Sequence, residues 1–163
     1  MSILKLFDAH THVQFNAFKD DADAVIKRAL DAGVGMINVG TQKDTSRLAV
    51  EYANKYETGV WATVGLHPIH TERSFHDAQE ISGDKGFESR GEEFDYEYYK
   101  KLAENPKVVA IGECGLDYYR LGEETKKKQR GAFEKQIQLA EEIGKPLMIH
   151  CRNAFADLIS ILE

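Results

Sequence analysis

Val108-Val109-Ala110-Ile111-Gly112-Glu113-Cys114-Gly115-Leu116-Asp117 decides how this chain is read. An apolar run leads straight into an acid, and a second acid follows four residues later. A strand buried on both faces, as in a parallel sheet covered by helices, reads as such a run rather than as an alternation. Ligands bind α/β sheets at the carboxyl ends of their strands, which is where Glu113 and Asp117 then fall. The same form recurs outward along the chain. Leu147-Met148-Ile149-His150-Cys151-Arg152 ends in a histidine and an arginine, and Leu66-His67-Pro68-Ile69-His70 closes another apolar run. The first strand-like stretch is Leu6-Phe7-Asp8-Ala9-His10-Thr11-His12-Val13. Alternation in an extended strand predicts Asp8, His10 and His12 on one face, with Phe7 and Val13 on the other.

Strands are expected at 5–13, 34–40, 59–66, 107–113 and 146–151, with helical periodicity between them. Asp20 or Asp21 caps a helix whose inward positions are Val25, Ile26, Ala29 and Leu30, closed by Gly33. Asp44 or Thr45 opens a second, with Leu48, Tyr52 and Ala53 inward. Residues 124–143 place Phe133, Ile137 and Ala140 on one stripe, and Gly144-Lys145-Pro146 stops that helix. Alternating strands and helices define an α/β fold with a parallel sheet. Residues 71–95 are polar and glycine-containing, longer than an ordinary connection, and are expected as a surface insertion in a single domain spanning 1–163.

Composition narrows the function classes. The chain has 163 residues, a net charge of −6 and 42% hydrophobic residues, so a core is available and no global basic field draws it to nucleic acid. Lys126-Lys127-Lys128 with Arg130 is the one basic run, and Glu123 and Glu124 beside it mark a solvated helix face. Met1-Ser2-Ile3-Leu4-Lys5 is too short for a secretory leader, so none is expected, and no apolar run is long enough to span a bilayer. The two cysteines, Cys114 and Cys151, each sit beside a candidate ligand, so alternation turns them toward packing helices as free thiols. A cytoplasmic protein with no membrane partner is the expectation.

Taken singly, a terminal carboxylate is a helix cap, a histidine is a satisfied core residue and an arginine is a surface ion pair. Repetition at four strand ends points instead to one site. Imidazole and carboxylate are ligands that zinc, manganese and magnesium accept. One carboxylate can bridge two cations, which together activate a water and clamp a phosphodiester. Arg152 shares the strand face of His150 and offers a planar fork to a phosphate. Of His67 and His70, His67, set by Pro68, is the stronger candidate; His76 has no assigned role.

Asp8-Ala9-His10-Thr11-His12, Val64-Gly65-Leu66-His67-Pro68, Ile111-Gly112-Glu113-Cys114-Gly115-Leu116-Asp117-Tyr118 and Ile149-His150-Cys151-Arg152-Asn153-Ala154 together resemble the TatD-type metal-dependent deoxyribonucleases. Gln129-Arg130-Gly131-Ala132-Phe133-Glu134-Lys135-Gln136 is similar to that family's helix between the fourth and fifth strands. The paired histidines alone are shared across the wider amidohydrolase superfamily. The resemblance implies a TIM barrel with two divalent metals. His10 and His12 would hold one metal, Glu113 would bridge and act catalytically, and His150 would hold the other. His67, Asp117 and Arg152 would bind a DNA substrate hydrolysed from its 3′ end.

A TIM barrel has eight βα units in about 250 residues, against five expected strands here. The chain ends at Leu158-Ile159-Ser160-Ile161-Leu162-Glu163 without a stop signal, so an incomplete barrel is expected, about the first two-thirds. Family members carry a further histidine and aspartate ligand beyond this point. Unpaired edges on the first and fifth strands predict self-association or pairing with a missing C-terminal segment. Two other readings remain open: a hydrolase of an amide or ester, and a non-catalytic half-barrel. The Glu113–Asp117 stretch, and the lack of a lysine at the fourth strand end where carbamylated-lysine members place one, favour the nuclease.

Overall fold

A computed structural model describes residues 4–76, 87–119 and 123–163, with 74–76, 87–89 and 123 described as backbone alone. Five parallel strands, β1 (Leu6–Thr11), β2 (Val34–Val39), β3 (Val60–Val64), β6 (Val108–Asp117) and β7 (Leu147–Arg152), pair in the order β1-β2-β3-β6-β7. Helices α1 (Ala22–Asp31), α2 (Lys43–Asn54), α3 (Tyr96–Ala103) and α4 (Glu123–Ile143) make the crossovers, and α5 (Phe155–Leu162) follows β7. Between β3 and α3 lies an antiparallel hairpin of β4 (Arg73–His76) and β5 (Phe87–Arg90). It falls within the expected insertion, whose segment 77–86 lies outside the described residues.

Spatial order that follows chain order without reversal separates this sheet from a doubly wound one. Right-handed crossovers then put every helix on the same side, and the sheet curls into the arc of a (β/α) TIM barrel. The five expected strands are all present. The core lies on the helix side, where Met36, Val60, Ala62, Val64, Val108 and Ile111 meet Ile26, Ala49, Ala53, Tyr99 and Leu139. The opposite, concave face carries Phe7, whose ring lies 5.3 Å from Trp61 across Gly35. A Cβ on Gly35 would come within 2.9 Å of that ring, so glycine lets the two aromatics meet.

Helix starts differ slightly from expectation. Asp21 occupies the N-cap of α1 without a side-chain cap bond. Helix α2 begins at Lys43 behind a Gln42–Thr45 capping box, so Thr45 is its third residue. Helix α4 stops at Ile143 with Gly144 at φ +67°, the left-handed residue that closes helices.

Two ladder irregularities matter for function. Between Asp8 and Thr11, three steps on β1 span two on β2, since Asp8 pairs with Met36 and Thr11 with Asn38. That extra residue puts Asp8 and Thr11 on the helix side and turns His10 to the concave face. The expected line-up of Asp8 with both histidines therefore fails, and Phe7 shares the histidine face instead. Asp8 Oδ1 accepts the backbone N–H of His10 at 3.1 Å.

The second irregularity lies on β6, which runs on to Asp117 rather than ending at 113. Three steps from Ile111 to Cys114 span two from Leu147 to Ile149. Cys114 and Leu116 then pack toward Phe133 and Leu158, while Glu113, Gly115 and Asp117 face inward. Both cysteines are free, with Cys114 buried and Cys151 against the same cluster. Gly115 has φ +131°, and a Cβ there would lie 2.1 Å from the His150 carbonyl oxygen. Replacing Gly115 by alanine is expected to cost about 3 kcal/mol or more, from left-handed strain plus a backbone clash, read as a lowered urea midpoint. An unchanged midpoint would refute this close approach of β6 to β7.

Candidate metal centre

The concave side at the strand ends gathers side chains from four strands around Glu113. The carboxylate is 8% exposed, and its two oxygens face different partners. Oε2 lies 3.3 Å from His10 Nε2. Oε1 lies 3.2 Å from His150 Nδ1 and 3.6 Å from His67 Nε2. His12 Nε2 stands 3.2 Å from His10 Nε2, so two imidazole nitrogens converge beside Oε2. Two candidate metal-holding groups result, His10–His12–Glu113 and His67–Glu113–His150, sharing Glu113. Nitrogen plus carboxylate donors suit a borderline divalent ion such as zinc or manganese, and the shared carboxylate suits a bridged pair.

Hydrogen bonds behind these groups fix which nitrogen each ring presents. His12 Nδ1 donates to the Val39 carbonyl at 2.9 Å, leaving Nε2 as a lone pair aimed at the centre. Its ring also stacks on Phe15 with centroids 4.4 Å apart. Burial lowers the His12 pKa, which keeps that nitrogen unprotonated. His150 is held from both sides, with Nε2 2.9 Å from Asp117 Oδ2 and Nδ1 on Glu113. Asp117, 1% exposed, also takes Arg152 through Nε at 2.9 Å and Nη2 at 2.8 Å. The Arg152 guanidinium lies 4.6 Å from the centre of the Tyr119 ring.

His67 differs from the others. It caps the short turn Pro68–His70, and its Nδ1 accepts the Ile69 N–H at 3.2 Å. Burial lowers its pKa, so it is neutral, and its single proton sits on Nε2, facing Glu113. Distance alone groups His67 with metal ligands, but this tautomer makes its Nε2 a donor. His70 is buried next to it, with ring centroids 6.0 Å apart. In the basic run of α4, Lys128 pairs with Glu72, Arg130 with Asp157, and Lys126 lies over the Tyr118 ring at 4.7 Å.

Electrostatics follow from the crowding. Burial opposes ionisation of Glu113 and Asp117, but hydrogen bonds from His10, His150 and His67 to the former, and from His150 and Arg152 to the latter, win and hold both well below the ordinary carboxylate range. Burial likewise opposes a charged His150, yet its bonds to Asp117 and Glu113 raise it to about 9. A bond to Glu113 raises His10.

The fold and site together define a barrel-type protein with a histidine–carboxylate centre at its strand ends. The profile of the TatD related DNase family matches residues 7–163, and the chain belongs to that family. A relative named "3′-5′ ssDNA/RNA exonuclease TatD" from Erwinia tasmaniensis is 38% identical over 159 residues, covering 97% of this chain and 54% of the relative. The protein of the same name from Edwardsiella piscicida is 37% identical, with 97% and 54% covered. The chain thus spans about half the length of the curated relatives it matches. The crystal structure of YjjV, a TatD homologue from Escherichia coli K12, superposes with a TM-score of 0.74 at 26% identity, covering 98% of this chain and 55% of that one. A TatD family hydrolase from Entamoeba histolytica gives 0.76 at 24% identity, covering 99% and 54%, which bears on the fold alone.

The sequence named every residue that meets at Glu113. It missed Gln129 and Gln136 of α4, whose buried side chains bond to strand-end backbone; polar residues on an otherwise apolar helix stripe were the available signal.

A protonated His150 stabilises the metal-free fold. Because its folded pKa lies above the ordinary value near 6.5, that stabilisation is complete below pH 6.5 and is lost as pH rises through about 9. Urea unfolding in EDTA is expected to show a midpoint falling across this window, and a flatter profile in His150→Gln. Equal slopes in the two proteins would rule out the paired imidazolium.

Proposed function

We propose that this chain carries the metal-binding part of a hydrolase that cleaves DNA phosphodiester bonds, releasing nucleotides from the 3′ end of a single strand. The observation that carries this is the buried Glu113 carboxylate, which presents one oxygen to His10 and the other to His150 and His67. The names of the curated relatives support the same reading.

His10 Nε2, His12 Nε2 and Glu113 Oε2 would hold one divalent ion, and Glu113 Oε1 with His150 Nδ1 a second. Magnesium, manganese or zinc bound there supplies a water of lowered pKa and neutralises phosphate charge. The remaining work belongs to the chain. With a metal in place of the Nδ1 proton, the one proton left on His150 would sit on Nε2, held by Asp117. His67 Nε2–H donates into the centre and serves a phosphoryl oxygen of the substrate. Arg152, locked to Asp117 along one edge, keeps Nη1 outside that pair for a second phosphate contact.

Glu113→Ala is expected to abolish nucleotide release from single-stranded DNA in Mg²⁺ or Mn²⁺, a loss of a thousandfold or more, whereas His67→Ala retains metal binding and loses rate. Release should be tested with and without an added fragment carrying the relatives' remaining strands. No release under either condition, or undiminished release by Glu113→Ala, would end the nuclease reading.

We also infer that both edges of the sheet are covered in the working protein. Leu6 is 69% exposed on β1, and Phe155 and Ile159 are 65% and 52% exposed on α5 beside β7. Further βα units that complete the barrel suit both edges, and the chain alone is expected to self-associate through them. Sedimentation at micromolar concentration should give species heavier than a monomer, converted to a single complex by the fragment; a persistent monomer would count against it. The described residues contain no helix long and apolar enough to cross a membrane. Two free thiols suit a reducing compartment, and we place the activity in the cytoplasm.

A further inference from the structure

Gln129 and Gln136 lie two turns apart on α4, both 0% exposed. Each side-chain amide grips both backbone groups of one residue. Gln136 Oε1 accepts the Leu66 N–H at 2.8 Å, and its Nε2 donates to the Leu66 carbonyl at 3.0 Å. Gln129 does the same to Asp117, at 2.8 and 2.9 Å. The gripped residues are the one before His67 and the one that holds His150 and Arg152.

The reason for these grips lies in the ladder. Pairing of β3 with β6 ends at Val64–Ile111. Beyond it the Glu113 N–H bonds to the Gly40 carbonyl at 2.8 Å, reaching past β3 to the end of β2. That reach brings Glu113 to His10, and it takes Gly65 and Leu66 out of the sheet. Their backbone groups then need partners from elsewhere. Ser46 of α2 bonds both groups of Gly65, at 3.2 and 3.3 Å, and Gln136 takes both groups of Leu66. A side-chain amide suits the task because it offers one donor and one acceptor side by side, as a neighbouring strand would.

We propose that Gln136 and Gln129 are positioning residues of the metal centre. Gln136 sets the orientation of His67 through Leu66, and Gln129 sets that of His150 through Asp117. The inference deepens the reading of this centre as a metal-dependent phosphodiesterase, and it rests on that reading only for its catalytic consequence. Both residues also contribute to stability, so the test must separate the two effects. Leu139→Ala, on the same helix and packed in the core, supplies a destabilised control that touches neither grip.

The experiment compares Gln136→Met, Gln129→Met and Leu139→Ala, methionine being an unbranched replacement of similar volume. Histidine ¹⁵N spectra of the metal-free protein report the ring tautomers. The wild type and Leu139→Ala are expected to show His67 with its proton on Nε2. Gln136→Met should shift the His67 signals toward a tautomer average and speed Leu66 amide exchange tenfold or more. Gln129→Met should leave His67 unchanged, move the His150 signals, and weaken Mn²⁺ binding roughly tenfold, the lower end of the range seen when groups orienting a ligand are removed. If both glutamine variants lose stability as Leu139→Ala does but keep wild-type histidine spectra and Mn²⁺ affinity, the proposal is overturned. These measurements need no turnover, so failure of the nuclease assay would leave their outcome readable.

Discussion

Everything at the strand ends follows from placing one carboxylate, Glu113, where two sets of histidines can share it. A buried carboxylate without partners is costly, and three imidazoles supply the compensation in the absence of metal. The same geometry requires Glu113 to stand inward of a regular β6. An extra residue between Ile111 and Cys114 achieves this, and the glycines at 112 and 115 take φ values of +144° and +131° where β6 approaches β7. Side chains at these positions would strike the Met148 and His150 carbonyls. The Gly-Glu-Cys-Gly run is therefore one device: the acid needs the displaced backbone, and the displacement needs the glycines.

A displaced strand leaves backbone groups without neighbours, and the helices absorb the debt. Ser46 and Gln136 serve the end of β3, and Gln129 serves the end of β6. Helix α4 is thus more than a crossover that covers the sheet. Its apolar stripe through Phe133 and Leu139 packs the strands, and the glutamines on the same side hold the strand ends. The bulge in β1 belongs to the same economy of form, since it separates Asp8 from His10 and brings His10 to Glu113.

Strand positions and the side chains that gather around Glu113 were legible because they depend on local apolar runs and on chemistry repeated at their ends, whereas the barrel order came only with the family resemblance. Glu113, His10, His12, His67, His150, Asp117 and Arg152 were all readable as polar residues closing apolar segments. Asp8 was misplaced because alternation assumes a regular ladder, and a bulge is a property of two paired strands rather than of one sequence. The length of β6 was underestimated for a related reason: glycines and an acid end a strand by propensity, yet here pairing with β7 carries it to Asp117. The tautomer of His67 was beyond reach, since it rests on a hydrogen bond from Ile69 that exists only once the turn has formed.

The two ends of the sheet satisfy loose carbonyls by opposite means, and the difference follows from charge. At the amino end Lys145 Nζ bonds the carbonyls of Ala103 and Val108, and Lys107 Nζ those of Tyr56 and Glu57. An ammonium offers several donors and suits a place where only carbonyls need partners, although burial lowers the Lys145 pKa. At the carboxyl end each gripped residue presents an N–H as well as a carbonyl, which an ammonium could not serve. A cation there would also stand near Glu113 and Asp117 and compete with His10, His150 and Arg152 for their charge. Neutral glutamines complete the backbone without drawing on that charge, leaving the carboxylates to His10, His150 and Arg152.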